Sequence, residues 1–392
     1  MKVNREDISN IADKYLPEAI SLNDYLADNP EISGEEFNSS ERIVNILKDH
    51  GFKVEYPFSD IRTAFKAVVN KGKKYKFALL VEYDALPSIG HACGHCASGS
   101  ISLLAALVLN QLKDNIDAEI HVIGTPDEEM RGSKATMANK GVFDEYDFAI
   151  MIHMSNKNVV FNPSLALDAY NFNFIGRPAH AASAPWEGRN ALNALRLTMD
   201  AVDMMRQHVK EDVRIHSYIK EGGVASNIVP EFASMEILIR SKERSYLDEL
   251  STWVKDCGKA GALATRTKFE WEQLGEKFHE ISEKPSGNKI LEDIFIGLGL
   301  KLTDISEISS GSSDIGNVDY FCPAFHPMIS IGEDFGPHTE EFAAAMKTDK
   351  THRAIRDGGE IIVRFVSELY DNPELIQKIK EEHIKLRENK LN

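Results

Sequence analysis

Apolar strands alternate with helices along the first part of the chain. A helical pattern covers Glu36 to His50, and apolar runs typical of buried strands cover Phe77 to Val81, Glu119 to Gly124 and Phe148 to His153, with helices between them. Such alternation is typical of a mostly parallel sheet that is flanked by helices on both faces. The first part of the chain, to about Met154, is therefore predicted to have an α/β fold.

The middle of the chain follows a different order. Its elements are predicted at Tyr170 to Gly176, Ala191 to Gln207, Val213 to Ile219, Ala233 to Ser241, Tyr246 to Ala262 and Arg266 to Glu272. The order of strands and helices is βαββαβ, which predicts a small ferredoxin-like sandwich. Helices and a strand resume afterwards, at Gly287 to Gly299, Pro327 to Gly332, Thr351 to Tyr370 and Leu375 to Leu391. We therefore predict a discontinuous domain of residues 1–166 and 277–392 and an inserted domain of residues 167–276.

Composition and charge limit the class of function. The chain of 392 residues is 43% hydrophobic and 27% charged, which is typical of globular protein long enough for two domains. Its net charge of −16, with no basic stripe, argues against a nucleic-acid partner. The N-terminus lacks an apolar signal region, and the longest apolar runs are too short to span a bilayer. We expect a cytoplasmic protein with no membrane partner.

One short loop concentrates soft ligands. The run His91-Ala92-Cys93-Gly94-His95 contains one thiol and two imidazoles, which are side chains that hold zinc and its first-row neighbours. Cys93 and His95 are the better pair for one ion, and a structural role is expected for His91. Cys93 and Cys96 also have the C-x-x-C spacing of redox proteins, so a thiol redox protein is an alternative. That alternative leaves the two histidines and the glutamates described next without a role.

Further candidate ligands follow predicted strands. In an open α/β sheet the functional crevice lies beyond the carboxyl ends of the strands. Glu128 and Glu129 follow one strand, His153 ends another, and His338 lies between a third strand and a helix. The two adjacent glutamates cannot point the same way, which suits one metal ligand and one group that handles the proton of a metal-bound water. Taken singly, a hydrogen-bonded histidine or a solvated acidic turn is the ordinary alternative.

These segments occur in an order that resembles the aminoacylase and dipeptidase family of di-metal amidohydrolases. The segments are Pro30-Glu31-Ile32-Ser33-Gly34-Glu35-Glu36, Glu82-Tyr83-Asp84-Ala85-Leu86-Pro87, His91-Ala92-Cys93-Gly94-His95, Pro126-Asp127-Glu128-Glu129, Gly176-Arg177-Pro178-Ala179-His180-Ala181-Ala182, Gly222-Gly223-Val224-Ala225-Ser226-Asn227-Ile228-Val229-Pro230 and Gly336-Pro337-His338-Thr339-Glu340. They are most similar to the branch with indole-acetyl-amino-acid hydrolases, aminobenzoyl-glutamate hydrolases and β-alanyl-lysine dipeptidases. The resemblance extends over nearly the whole chain. It implies a di-zinc exopeptidase-like fold for the larger domain.

The resemblance also implies roles for individual residues. Two divalent ions per subunit, zinc or manganese first and cobalt or nickel next, would be bound by Cys93, His95, Glu129, His153 and His338. Glu128 would be the general base, and His180 would reach the partner subunit's site and stabilise the oxyanion; an ordinary turn is the alternative for His180. Asn227 and Arg240 would contact the substrate, although Arg240 could equally be a surface charge. The inserted domain would form a homodimer, and the substrate would be a small N-acyl amino acid or dipeptide.

Two positions depart from the family pattern. Many relatives have His-x-Asp with a ligating histidine where this chain has Glu82-Tyr83-Asp84. Asp84 is therefore expected to orient a ligand, with the Cys93 loop supplying the first metal ligands. Cys96 stands where Asp or Asn is common in this branch, which leaves metal preference and redox sensitivity open. A non-catalytic ligand-binding relative is the second alternative, and the intact set of proposed ligands and base argues against it.

Overall fold

The chain divides into two compact units. The structure is a computed structural model that describes residues 4–304 and 311–391, with side chains described up to residue 387 in the last helix. The larger unit comprises residues 1–163 and 281–392, and the inserted unit comprises residues 164–280, where the sequence predicts 167–276. No helix in the described ranges is both long and apolar enough to cross a membrane.

Both units contain helices and strands. Before the insertion the elements are α1 (Arg5–Asp28), α2 (Phe37–Asp49), β1 (Lys53–Glu55), β2 (Phe65–Val69), β3 (Tyr75–Val81), α3 (His95–Gln111), β4 (Ala118–Gly124), α4 (Ser133–Asn139), β5 (Phe148–Ile150) and β6 (His153–Ser155). The inserted unit contains β7 (Ala166–Ile175), α5 (Ala191–Met205), β8 (Arg214–Glu221), β9 (Phe232–Ser241), α6 (Arg244–Thr265) and β10 (Lys268–Gln273). The larger unit then resumes with α7 (Pro285–Gly297), α8 (Ile315–Phe321), β11 (Ala324–Phe325), β12 (Met328–Ser330), α9 (Glu340–Ala345), α10 (Asp349–Asp371) and α11 (Pro373–Leu391). Short 3₁₀ helices lie at Lys113–Asn115, Pro185–Glu187 and Arg206–His208.

A six-stranded sheet forms the centre of the larger unit, in the order β1-β2-β4-β3-β5-β11. Strand β3 pairs in parallel with β4 and β5, and β5 pairs in parallel with β11. The pairs β1–β2 and β2–β4 are antiparallel. The sheet is therefore mostly parallel with an antiparallel edge, which confirms the fold class predicted from the alternating pattern.

The run from Phe148 to His153, predicted as one strand, forms two. Strand β5 pairs with β3 and β11, whereas β6 pairs in parallel with β12 in a separate sheet. Between them the N–H of Met151 donates to the carbonyl oxygen of Phe325 at 3.1 Å, and the N–H of His153 donates to that of Pro327 at 3.0 Å. The apolar run continues through the break, so hydrophobicity alone does not reveal it. His153 consequently begins a short strand instead of ending a longer one.

Helix α3 lies inside the core of the larger unit. Every side chain from His95 to Leu109 is buried, because the helix contacts β3, β4, α1 and α10. Gly99 lies against the end of β3, where a Cβ atom would come within 2.4 Å of the carbonyl oxygen of Glu82. The first turns of α3 are therefore held next to the carboxyl end of β3, which is where functional side chains collect in such sheets.

The inserted unit is a four-stranded antiparallel sheet with two helices packed against it. The strand order is β10-β7-β9-β8, and every neighbouring pair is antiparallel. Tyr170, Phe172, Ile237 and Leu247 belong to its separate apolar core. Strand β8 forms one edge, and all its residues except Ile215 are exposed. The observed order is the βαββαβ order that the sequence predicts.

Candidate active site

The side chains predicted to bind metal converge in the larger unit. Together with the predicted base Glu128, their ligand atoms form three groups, in each of which the atoms lie within 4.8 Å of one another: Cys93, His95 and His153; Cys93, Glu129 and His338; and His95, Glu128 and Glu129. Cys93 and His95 each belong to two groups, so neighbouring groups share a side chain. Shared ligands are what two closely spaced cations require.

Gly94 allows the Cys93 loop to approach strand β6. Its φ of +84° lies in the left-handed region, and a Cβ atom at this position would lie 2.8 Å from the Cβ atom of Met154. Only glycine satisfies both conditions without strain. Because His153 directly precedes Met154, this approach brings Cys93 Sγ to 3.6 Å from His153 Nε2.

The backbone of His338 attaches it to the same loop. Its N–H donates to the carbonyl oxygen of Ala92 at 2.7 Å, and its φ is +67°, which is uncommon outside glycine. The Nε2 atom of His338 lies 3.6 Å from Glu129 Oε1, and 57% of the His338 side chain is exposed. His338 therefore lies on the solvent-exposed side of the site, whereas Cys93, His95 and His153 are buried.

Hydrogen bonds define the tautomers of two candidate ligands. His95 Nδ1 lies 2.9 Å from Asp84 Oδ1 and 3.1 Å from the Asp84 carbonyl oxygen, and His153 Nδ1 lies 2.7 Å from the Met154 carbonyl oxygen. Because these oxygens accept and do not donate, each Nδ1 carries a hydrogen, and the Nε2 atom of the neutral ring has a free lone pair. Both Nε2 atoms are thus prepared to bind a cation.

The site contains buried acceptor atoms that have no hydrogen-bond donor. Within the described residues, His95 Nε2, Glu82 Oε2 and Glu129 Oε1 lack a hydrogen-bond partner, and the first two face each other at 3.4 Å. Burial lowers the pKa of His95, but the negative charges of Cys93, Asp84 and Glu82 raise it overall, to well above its ordinary value. These surroundings therefore favour a positive charge on His95 Nε2, carried by a proton or by a bound cation. Thiolate, imidazole and carboxylate together fit a divalent ion such as zinc.

Asp84 connects two candidate ligands. Its Oδ1 atom accepts from the His95 ring, and its Oδ2 atom accepts from the backbone N–H of Glu129 at 3.1 Å and from the Ser33 hydroxyl at 2.8 Å. Burial raises the pKa of Asp84, but the His95 charge and these hydrogen bonds lower it overall. An ionised Asp84 thus fixes the His95 ring and the start of Glu129, which is what an outer carboxylate does at metal sites.

Glu128 lies beside a second charged cluster. The carboxylate oxygens of Glu82, Glu128 and Asp314 lie within 4.8 Å of one another, and Lys134 Nζ lies 2.6 Å from Glu82 Oε1 and 2.5 Å from Asp314 Oδ1. Lys134 is fully buried; burial lowers its pKa, but the charges of Asp314 and Glu82 raise it overall. Burial raises the pKa of Glu128 well above its ordinary value, and the charge of Glu82 raises it further. This cluster therefore contains its own cation, the Lys134 ammonium group.

Three side chains near the site are not among the residues that the sequence patterns select. Lys134 is the second residue of α4, Asp314 directly precedes α8, and His326 directly follows β11. His326 is buried, neither of its ring nitrogens has a partner among the described residues, and its ring centre lies 5.6 Å from that of His153. Its place directly after a short apolar strand is the same signal that selects His153. The sequence carries no comparable signal for Lys134, whose carboxylate partners are remote along the chain.

His91 and Cys96 lie outside the three ligand groups. Cys96 is fully buried in the apolar core, and burial raises the pKa of its thiol to about 12. All four cysteines are free. Because redox chemistry requires a thiolate that is accessible, the surroundings of Cys96 do not favour the redox alternative.

The remaining predicted residues, His180, Asn227 and Arg240, all belong to the inserted unit. His180 is exposed, and its Nδ1 atom accepts two backbone N–H groups at 3.2 Å, so its Nε2 atom carries the hydrogen. The carbonyl oxygen of Asn227 accepts the N–H of Ala181, which places Asn227 beside His180. Arg240 is half-buried on β9 and forms no ion pair within the described residues. Each side chain can therefore donate hydrogen bonds to a ligand.

Comparison with known proteins adds four findings. Residues 78–368 match the sequence model of peptidase family M20/M25/M40. The chain is similar to the Xaa-Arg dipeptidase of Mus musculus, with 33% identity over 326 residues, which cover 80% of this chain and 75% of that protein. Its fold is similar to that of an aminobenzoyl-glutamate utilization protein from Klebsiella pneumoniae (TM-score 0.74, 16% identity, 93% of this chain and 99% of that one). It is also similar to that of a dinuclear metal-binding peptidase from Bacillus subtilis (TM-score 0.69, 15% identity, 92% and 99%).

Proposed function

This chain belongs to peptidase family M20/M25/M40 and hydrolyses amide bonds, and we propose that it does so with two bound divalent ions on small dipeptides or N-acyl amino acids. The observation that carries the proposal is the convergence of Cys93, His95, Glu129, His153 and His338 in groups no wider than 4.8 Å, with Glu128 next to them. The donor set fits zinc or manganese, and also cobalt or nickel. A dipeptide with a C-terminal arginine is the first substrate to assay, because the mouse relative is an Xaa-Arg dipeptidase.

Glu128 is proposed as the general base. Bound divalent ions would lower the pKa of a water molecule and polarise the amide carbonyl. Glu128 takes the proton from the attacking water and returns it to the leaving amine as the carbon–nitrogen bond breaks. Its raised pKa, which burial and Glu82 cause, suits a carboxylate that must hold a proton between these two steps. Glu129, on the adjacent residue, is left to bind metal.

The inserted unit is proposed to bind substrate and to form a homodimer. The exposed His180, with its hydrogen on Nε2, is a suitable donor to the oxyanion that forms at the partner subunit's site. Arg240, half-buried and without an ion pair among the described residues, is a suitable group for the substrate carboxylate, and Asn227 for its amide. The exposed edge strand β8 offers unpaired backbone groups for a second subunit.

We also propose a cytoplasmic location, where free cysteines such as the four of this chain are usual.

Removal of metal is expected to abolish hydrolysis. We expect the gently purified protein to contain about two metal ions per chain by mass spectrometry, and chelation to remove both the ions and the hydrolysis of Xaa-Arg dipeptides. Adding back zinc or manganese should restore activity. A metal-free protein with unchanged activity would contradict the proposal.

A matched pair of cysteine variants tests which thiol binds metal. C93S and C96S each remove one buried sulfur, from positions three residues apart at the start of α3 and in the loop before it. We expect C93S to lower the metal content and C96S to leave it unchanged, because only Cys93 belongs to the ligand groups. Equal metal content in both variants would show that Cys93 is not a ligand. Metal loss only in C96S would mean that Cys96, and not Cys93, binds the metal.

Mixed dimers test whether two subunits share a site. H180A and E128Q should each be inactive alone, because each lacks one group that the reaction needs. In a 1:1 mixture after subunit exchange, half of the dimers are heterodimers with one complete site each, so activity should recover to about a quarter of the wild-type value. Each variant exchanged with itself is the control. Activity that stays at the level of the separate variants would exclude a shared site.

A further inference from the structure

The segment Glu31–Glu36, here called the N-terminal loop, joins two parts of the active site. The N–H of Ala85 donates to the carbonyl oxygen of Glu31 at 2.8 Å, and the Ser33 hydroxyl donates to Asp84 Oδ2 at 2.8 Å. These contacts hold the loop against the chain after β3. The other end of the loop contacts the chain after β4, through Glu36.

Glu36 is a fully buried carboxylate with three hydrogen-bond donors. Its Oε1 atom accepts the backbone N–H of Gly34 at 2.6 Å and that of Asp127 at 2.9 Å, and its Oε2 atom accepts the Thr63 hydroxyl at 2.9 Å. Burial raises the pKa of Glu36 to about 7, against the effect of the Gly34 hydrogen bond. In either protonation state, an oxygen at the Oε1 position can accept both N–H groups.

Asp127, which Glu36 holds, has an unusual backbone. Its φ of +60° is left-handed, a conformation that non-glycine residues rarely adopt. The left-handed turn lies directly before Glu128 and Glu129. Arg131 packs over the same place, because its guanidinium group lies where a Cβ atom of Gly34 would be, and its Nε atom is 2.7 Å from Asp127 Oδ2. The bond from Asp127 to Glu36 is thus one of the contacts that hold the chain where it enters Glu128.

We propose that Glu36 is a positioning residue for hydrolysis: by holding the Asp127 N–H it keeps the left-handed turn that directly precedes the base Glu128, and so fixes where the Glu128 carboxylate lies beside His95 and the ligand Glu129. This inference rests on the proposed function of Glu128. Glu36 itself touches neither candidate metal ligand nor base in any contact described above. Its length, and not its charge, is the property that matters, since one oxygen must reach the Asp127 N–H.

Three variants of Glu36 separate length from charge. E36Q keeps the length and can keep all three hydrogen bonds, since Thr63 can accept as well as donate. E36D keeps the charge but is one methylene shorter, and E36M keeps the length without an acceptor. We expect E36Q to retain kcat within about threefold, and E36D and E36M to lose about 10²-fold in kcat with KM and metal content unchanged, because a base misplaced by about 1 Å costs that much.

E360M is the matched control. Glu360 is also a fully buried carboxylate with several partners, Ser9, Arg356 and Arg364, none of which belongs to the site. We expect E360M to lower the melting temperature while its kcat remains that of the wild type. If E36D and E36M keep the wild-type kcat, or if E36Q loses as much as E36D, the positioning role is wrong.

A crystal structure of E36D, or of E36M if it crystallises better, tests the inference without an activity assay. We expect Asp127 to leave the left-handed region and the Glu128 carboxylate to move. An unchanged Asp127 would overturn the positioning role of Glu36. Failure of the proposed function would instead appear as a wild-type protein without hydrolysis, whatever the structure of the variants shows.

Discussion

E128Q is expected to lose about 10²- to 10⁴-fold in kcat while it keeps its fold and its metal, because that is the usual contribution of a positioned general base. Glutamine has nearly the same shape as glutamate, but its amide cannot take a proton from water at neutral pH. The neighbouring cluster should tolerate the change, since Lys134 remains paired with Glu82 and Asp314. Steady-state kinetics on an Xaa-Arg dipeptide, together with metal analysis by mass spectrometry, measure both parts of the expectation.

E129Q is the matched control for E128Q, because it makes the same chemical change on the adjacent residue. Glu129 Oε1 lies 3.6 Å from His338 Nε2 and belongs to two ligand groups. We expect E129Q to lower the metal content and, through it, the activity. The two variants should therefore differ in metal content. Hydrolysis at the wild-type rate in E128Q would remove Glu128 as the base, and metal loss in E128Q alone would exchange the two roles.

That Glu128 and Glu129 lie near the other candidate ligands was predictable from sequence, because it depends on local chain order, and the division of roles between them stays a prediction. Both glutamates follow a strand, and the carboxyl ends of parallel strands meet at one edge of the sheet. The inserted βαββαβ unit was predictable for a similar reason, since its apolar periodicity is a local property of each segment. The break between β5 and β6 was not, because it depends on pairing with β11 and β12, which lie more than a hundred residues later.

The buried charged cluster could not be predicted from any local pattern. Lys134 and Asp314 are separated by 180 positions, yet Asp314 accepts both the backbone N–H and the ammonium group of Lys134. A lysine at the start of a helix is ordinarily exposed, and nothing near Lys134 in sequence indicates burial. Glu36 is similar: its segment resembles the family pattern, but the hydrogen bond to Asp127 spans 91 positions. Pairings of this kind are visible only in the folded chain.

K134M is expected to lower the free energy of unfolding of the chelated protein by about 3–5 kcal/mol, because it leaves buried carboxylates without their counter-charge. Glu82 and Asp314 are 1% and 0% exposed, so water cannot replace the ammonium group. Urea unfolding, monitored by circular dichroism, measures this loss in the free energy of unfolding. If the unfolding curve has more than one transition, each is fitted separately. K289M is the control, since Lys289 forms exposed ion pairs with Glu292 and Asp293 and should change stability little.

Two further measurements show whether K134M loses stability because the Lys134 charge is lost or because its packing is lost. In the triple variant E82Q/K134M/D314N, neutral amides replace the carboxylates of Glu82 and Asp314, so part of the lost stability should return. The K134M defect should also shrink as pH falls. Without Lys134, burial raises the pKa values of Glu82 and Asp314 above those of the unfolded chain, and carboxyl groups with raised pKa values stabilise the fold at low pH and lose that contribution as pH rises. A defect of the same size at all pH values, and in the triple variant, would mean that Lys134 acts by filling space. The charge of Lys134 would then have no part in holding Glu82 opposite His95.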